Sequence, residues 1–308
     1  MARLHARVGT IRQLEILLAV SRTGSITKAS KLLHLTQPTV SVQLKKLADD
    51  VGVPLYEQLG RKLLFTEAGL ELVKSAREIM ESFDRLEMKL SDLQGLKAGT
   101  LRLAVVTTSK YLTPHFLGEF VKTYPAIDIV LKVANRRQII EHLETGEYDF
   151  YVFSHPPENY ELELVPFSAN PLVPIAALSH PLAREKKIPF EVFAREPFLI
   201  REMGSGTRYA IDRHLSAKGL ELNVRMTIES NEAIKHCVMS ELGVSILSRH
   251  TLALGGSSGL KELDVEHLPI RSEWYLARLA NKEMSVIAST FLDYVQAKGE
   301  LFAELLAT

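Results

Sequence analysis

Gln37, Thr39, Ser41, Gln43, Lys45 and Lys46 fall on one side of the stretch QPTVSVQLKKL, and Val40, Leu44 and Leu47 on the other. At helical spacing this gathers short hydrogen-bonding groups near the start of a helix and cations further along it. Such a face suits a base-pair edge. The fork of Gln37 matches N6 and N7 of adenine, Thr39 and Ser41 reach a base or a thymine methyl, and amides and cations hold phosphates. A polar face that is merely solvated would look the same in isolation, so the surrounding elements must decide.

A second chemistry is spelled by three short segments. TTSK (Thr107 to Lys110), REMGSGTR (Arg201 to Arg208) and SNEAIK (Ser230 to Lys235) each follow an apolar run and open a helical pattern. Hydroxyls, backbone amides beside glycine and the guanidinium forks of Arg201 and Arg208 are the groups that grip a carboxylate or phosphate. The candidate residues are Thr107, Thr108, Ser109, Lys110, Asn135, Arg201, Gly204, Ser205, Gly206, Thr207, Arg208 and Asn231. The plain alternative is that these segments are only helix caps. His155, before Pro156-Pro157, reads as a loop residue rather than a ligand.

Catalytic readings fail on spacing. GSGTR lacks the Gly-Lys-Ser/Thr ending of a phosphate loop, Tyr209 stands where GxGxxG needs its third glycine, and Ser109-Lys110 is adjacent rather than SxxK. GxSxG, HExxH and metal-spaced carboxylates are missing, and the ten histidines are scattered. The expectation is a non-enzyme with no metal and no cofactor. Cys237 is the single cysteine, so it has no intrachain disulfide partner or resolving thiol, in keeping with a reducing cytoplasm.

The elements that must hold the first face are legible upstream. Ile11, Leu14, Ile16, Leu17, Leu18 and Val20 outline a first helix ending at Thr23-Gly24. Ser25 can cap a second with Ile26, Ala29, Leu32 and Leu33 on one face, and Thr36 a third with Pro38 in its first turn. VPLYEQLGRKLLFTEAG then reads as strand, Gly60-Arg61-Lys62 turn and strand, a wing with a basic tip. From about Glu67 to Leu93 a long helix carries Leu72, Ala76, Ile79, Phe83, Leu86, Leu90 and Leu93 in heptad spacing, which implies a paired coiled coil. A two-fold protein then matches a two-fold operator.

Beyond a Gly95 to Gly99 break the pattern changes to strands alternating with helices, the start of a doubly wound α/β sheet, followed by a second such set. Two α/β lobes with ligand groups at strand ends are expected. The division is 1–66 for the helical module, 67–94 for the linking helix, 95–99 for a hinge and 100–308 for the body. Within the body, lobe I takes about 100–164 and 268–308, lobe II about 165–267. Residues 1–66 hold ten Lys and Arg against four acids, a surplus of six cations that the rest of the 308-residue chain cancels to a net charge of zero. One basic end on an acidic body suits a polyanion bound at that end. The hydrophobic fraction of 46% allows ordinary cores, and no apolar run approaches a membrane span.

Ile26, Ala29, Leu33, Thr36-Gln37-Pro38, Ser41, Gln43, Leu47, Gly52, Leu55, Tyr56 and Thr66-Glu67-Ala68-Gly69 together resemble the N-terminal signature of LysR-type transcriptional regulators. Two positions depart: Ala48 replaces the usual Glu, and Gln58 the common wing Arg, leaving Arg61 and Lys62 as wing cations. The resemblance implies a winged helix-turn-helix domain, a dimerising linker helix and a two-lobed effector domain of the periplasmic-binding-protein type. DNA-contacting residues are then Ser25, Thr36, Gln37, Pro38, Thr39, Ser41, Gln43, Lys45, Arg61 and Lys62. Implied partners are double-stranded DNA with an interrupted inverted repeat, further copies of the chain as a dimer or a tetramer built from two dimers, RNA polymerase and a small-molecule effector, with no membrane. GLKAGTLRLAVVTTSKYLTP, EPFLIREMGSGTR and SNEAIKHCVMSELGVSILSRHTLAL look like the branch that controls Calvin-cycle genes, which implies a phosphorylated or carboxylated effector. A regulator of an unrelated operon with a neutral or apolar inducer stays open, as does, from another class, a solute-binding protein.

Overall fold

The structure, a computed structural model, describes residues 10–59, 62–93 and 97–305. Two compact units divide between Leu90 and Ser91. In the first, α1 (Ile11–Thr23), α2 (Ile26–Leu32) and α3 (Gln37–Val51) are followed by β1 (Tyr56–Leu59), β2 (Lys62–Phe65) and α4 (Glu67–Leu93). Leu14, Ile16, Leu17, Val20, Ala29, Val40, Leu44, Leu47 and Leu55 form the core, joined by Val73 and Ala76 from α4. Ile11 and Leu32, expected on the buried faces, are 46% and 44% exposed.

The short turn between α2 and α3 is possible because His34 adopts φ 54°. That left-handed residue lets Leu35 N donate to Ser30 O at 2.9 Å and reverse the chain. Thr36 then caps α3, accepting from Thr39 N at 3.3 Å. Thr66 caps α4 by accepting from Gly69 N at 3.1 Å, while its own hydroxyl donates to Pro54 O at 2.7 Å. Gly69 has a packing reason: a Cβ there would lie 1.9 Å from the Leu55 carbonyl oxygen.

The second unit contains β3 (Gly99–Val106), α5 (Thr113–Thr123), β4 (Ile127–Ala134), α6 (Arg136–Thr145), β5 (Phe150–Phe153) and β6 (Leu162–Ala169). Then come β7 (Leu172–Ala177), α7 (Phe190–Arg195), β8 (Phe198–Arg201), α8 (Gly206–Lys218), β9 (Val224–Ile228), α9 (Asn231–Met239) and β10 (Ser245–Ser248). Last are α10 (Arg249–Ala253), β11 (Leu260–Glu262), β12 (Glu273–Leu279) and α11 (Val286–Leu305). One lobe is a five-stranded sheet, β4-β3-β5-β12-β6, with β3 parallel to β4 and β5 and β12 antiparallel to β5 and β6. Phe120 of α5 meets Phe291 of α11 with ring centroids 5.0 Å apart, and Phe291 also meets Phe150. The other lobe holds the sheets β10-β7-β11 and β8-β9, packed by Phe190, Phe193, Phe198, Ile211 and Val244 on one side and Ile175, Leu199, Ile234 and Leu247 on another.

The lobe boundaries lie later than the sequence pattern suggested. Because β6 pairs with β12 from Leu162 to Ala169, the chain leaves lobe I at Asn170-Pro171, and it returns near Ser272. The two crossing segments run side by side, with Leu172 N and Ile270 N each donating to the other's carbonyl at 2.9 Å. Among the described residues, no helix is long and apolar enough to cross a membrane.

Candidate DNA interface and effector cleft

On α3, Val40, Leu44 and Leu47 are wholly buried, while Gln37, Pro38, Thr39, Lys45 and Lys46 are exposed and Ser41 and Gln43 half-buried. Pro38, Thr39, Lys45 and Lys46 therefore share one face, the geometry a groove-reading helix needs, while Gln37 is exposed at the first position of the helix, about 140° round from the middle of that face. Two hydroxyls are already engaged: Ser25 caps α2 by accepting from Lys28 N at 3.4 Å, and Thr39 Oγ1 lies 2.7 Å from Thr36 Oγ1. Lys28, Lys31, Lys45 and Lys46 have no carboxylate partner among the described residues. Lys62 opens β2, opposite Leu59. The wing residue Arg61 lies outside the described residues, as does Gly95 of the expected hinge.

The stripe on α4 divides in two. Leu72 and Ala76 pack into the helical core. Ile79, Phe83, Leu86, Leu90 and Leu93 instead run along the helix at 41%, 45%, 51%, 52% and 83% exposure.

In the second unit, β3 ends in a 3-10 turn, Thr107–Tyr111, rather than opening directly into a helix. Thr108 and Ser109 are buried there. Ser109 Oγ donates to Val106 O at 3.0 Å, and Thr108 Oγ1 lies 3.3 Å from Thr207 Oγ1 of the opposite lobe. Lys110 Nζ lies 4.9 Å from the centroid of the Tyr111 ring. Arg201, at the end of β8, is only 2% exposed. Its Nε and Nη2 donate to Glu202 at 2.8 and 3.1 Å, and its Nη1 donates to Asn231 Oδ1. Asn231 Nδ2 is buried and has no hydrogen-bond partner, an unused donor beside a buried cation.

Two expected ligand residues have other employment. Arg208 turns along α8, its Nε donating to both oxygens of Asp212 at 2.9 and 2.7 Å, because an acid one helical turn away is a nearer partner than the cleft. It lines instead a cavity of about 470 Å³ with Arg136, Arg137, Met203 and Tyr209. Asn135 caps α6, accepting from Gln138 N at 3.1 Å, and its Nδ2 donates to Glu202 Oε1 at 3.3 Å across the lobes. Ser205 caps α8. Gly204, at φ 99°, accepts from Arg137 N at 3.1 Å, and a Cβ there would come 3.2 Å from Arg137 Cβ.

Sequence reasoning passed over Glu202, Tyr111, Glu232 and Lys235. Tyr111 donates its hydroxyl to Glu232 across the lobes, and burial followed by that bond raises the phenol above its ordinary range. Burial alone would raise Glu232, but hydrogen bonds from Lys235 and Tyr111 outweigh it and hold the carboxyl low. Lys235 is buried, 2.7 Å from Glu232, with Nζ donating to Gly255 O at 2.5 Å. The signal for Glu202 was present, since an acid beside an interior arginine is its natural counterion. His155 and His250 are held neutral, with pKa values lowered to about 4 by burial first, then by Arg136 and Arg213 for the former and Arg249 for the latter.

Set beside known proteins, residues 11–70 match the family model described as bacterial regulatory helix-turn-helix protein, lysR family, and residues 94–300 that of the LysR substrate binding domain. The HTH-type transcriptional activator CmpR of Synechocystis is 49% identical over 292 residues, 94% of this chain and 96% of that protein. The RuBisCO operon transcriptional regulator of Acidithiobacillus ferrooxidans is 38% identical over 295 residues, 96% of each chain. Among solved structures, the Synechocystis CcmR regulatory domain in complex with 2-PG is 44% identical, with a TM-score of 0.62 over 65% of this chain and 97% of its own. Full-length CbnR with its target DNA shares the fold at 21% identity, with a TM-score of 0.68 over 94% of this chain and 99% of that one.

Proposed function

This chain belongs to the LysR family of bacterial transcriptional regulators, and we propose that it controls carbon-fixation or related central-carbon genes in response to a small phosphorylated or carboxylated metabolite. It is a regulator with an effector-binding domain, not an enzyme. The name of the RuBisCO-operon relative supports the target class. The 2-PG in the CcmR regulatory domain supports the effector class.

The observation that carries the effector reading is Arg201, buried beside the unpartnered Asn231 Nδ2. Thr108 and Thr207 supply hydroxyls from the two lobes, so an anion here would bridge them, whereas the Ser109 hydroxyl is committed to Val106 O. Such a ligand shifts the regulator only by binding one lobe arrangement more tightly than another. Of the two arginines expected to grip the anion, Arg201 keeps that role and Arg208 is given to Asp212.

At the DNA, Gln37 reads a base bidentately, Pro38, Thr39, Ser41 and Gln43 line the groove, and Ser25, Thr36, Lys45, Arg61 and Lys62 hold backbone phosphates. The apolar row Ile79, Phe83, Leu86, Leu90 and Leu93 is covered by the same row of a second copy, and two dimers form a cytoplasmic tetramer that contacts RNA polymerase. Phe83→Asp with Leu86→Asp is expected to lower the mass measured by light scattering, and an unchanged mass defeats the coiled-coil reading.

The first test is thermal stabilisation of the purified chain by 2-phosphoglycolate, ribulose bisphosphate, phosphoenolpyruvate and NADPH. One anion is expected to raise the melting temperature by binding the folded state, and to fail with Arg201→Met. No shift from any anion rejects the anionic effector.

A further inference from the structure

Val42 stands at the centre of the exposed face of α3. At about 100° per residue it lies roughly 165° round the helix from the middle of the buried Val40, Leu44 and Leu47 stripe. It is 62% exposed, and its neighbours one turn away are Pro38 and Thr39 on one side and Lys45 and Lys46 on the other. Through the first three turns of α3 the other outward groups are Pro38, Thr39, Lys45 and Lys46, with the exposed acid Asp49 following two turns beyond Val42, so the most outward side chain of that stretch is a branched hydrocarbon. Helix formation gives no reason for it, since a β-branched residue is a poorer helix former than Ala, Gln or Lys. A lone exposed apolar side chain on an ordinary surface needs no explanation. This one occupies the position that goes deepest into a groove when its neighbours meet DNA.

We propose that Val42 is a specificity-determining residue that reads the C5 methyl of a thymine in the major groove, an inference that rests on the DNA-binding role given above to α3. Valine has no donor or acceptor, so guanine, cytosine or adenine edges placed against it would lose water without gaining a partner. The thymine methyl is the one apolar feature in the major-groove pattern of the four base pairs. Lys45 and Lys46, one turn further along, supply backbone attraction that is blind to sequence. Val42 converts that attraction into a preference through contact on one side and desolvated polar edges on the other.

The test uses the full chain and a duplex that it selects from a randomised DNA pool. Each thymine of the selected duplex is replaced singly by deoxyuridine, which removes only the methyl, and dissociation constants are measured for the wild type and Val42→Ala. At one thymine of a half-site, the wild type is expected to lose about fourfold in affinity, the value of one buried methyl. Val42→Ala should lose nothing further there, while keeping the wild-type melting temperature because the residue is outside the core. Equal losses in both proteins, or no loss at any thymine, overturn the proposal while leaving the selected duplex as proof of sequence-specific binding. Failure to select any preferred duplex overturns the DNA-binding reading as well.

Discussion

The two regions proposed to meet negative charge are built in opposite ways. On the helical unit, Lys28, Lys31, Lys45 and Lys46 stand in water with no carboxylate partner among the described residues. In the effector unit, Arg201 and Arg208 are already paired, with Glu202 and Asp212. An exposed ammonium costs little to leave unpaired and gains when DNA releases its counterions. A guanidinium at 2% exposure cannot be left alone, so its counterion is built in, and an incoming anion must share Arg201 with Glu202 or displace it. The proposed DNA face thus offers free charge, and the proposed effector cleft compensated charge plus hydroxyls and one spare amide.

The largest effect that would break this contrast is salt dependence. Raising salt from 50 to 200 mM should weaken operator binding by about a thousandfold if six or more phosphates are contacted. Effector binding to the same protein, measured by calorimetry, should change by no more than about twofold, because its partners are buried and screened little by ions. An effector affinity that falls as steeply as the DNA affinity would place the metabolite on the surface.

Next in size is Arg201→Ala, which strands Glu202 and leaves Asn231 Oδ1 without its donor. Urea unfolding of the effector unit should lose roughly 3–5 kcal/mol, the cost of half a buried ion pair. Adding Glu202→Gln should restore most of that stability while leaving the metabolite response absent. Recovery of the response in the double variant would move the anion away from Arg201.

Acid sharpens the contrast from a third direction. His155 and His250 have folded-state pKa values near 4, below the ordinary 6.5. Each contributes stability that is present above pH 6.5 and is lost as pH falls from there through 4, where the unfolded chain takes up protons that the folded one resists. The melting temperature of the effector unit should therefore decline across that window, and His155→Gln should make the decline shallower. A flat profile would mean that both rings take up protons without opposing the fold.

How much was legible in advance follows the same division. Local rules wrote the helical unit: Ser25, Thr36 and Thr66 cap helices and Gly24 and Gly52 end them, each a decision made within a turn of sequence. The strand that extends lobe I and the closing pair β12 and α11 depend on partners more than a hundred residues away in sequence, and the pattern at β6 gives no sign of them. The cleft was half legible. REMGSGTR announced Arg201 and the Ser205 cap, but which arginine faces the ligand depends on where Asp212 and Glu202 lie, and a list of residue types cannot settle that.

The smallest effect is the most informative about how the cleft closes. Tyr111 and Glu232 come from opposite lobes, and Glu232 keeps Lys235 when the phenol is removed. Tyr111→Phe therefore deletes one hydrogen bond without stranding a charge, and about 1 kcal/mol is at stake because the carboxylate is part-exposed and retains a cation. If the metabolite prefers lobes drawn together, losing a bond made only in that arrangement lowers the competent population, and affinity should fall about fivefold. Calorimetric titration with 2-phosphoglycolate measures this directly, alongside urea unfolding to confirm that the unit is intact. An affinity equal to wild type would mean that Tyr111 and Glu232 meet equally well in both arrangements, leaving closure to Thr108, Thr207 and the Asn135 bond to Glu202.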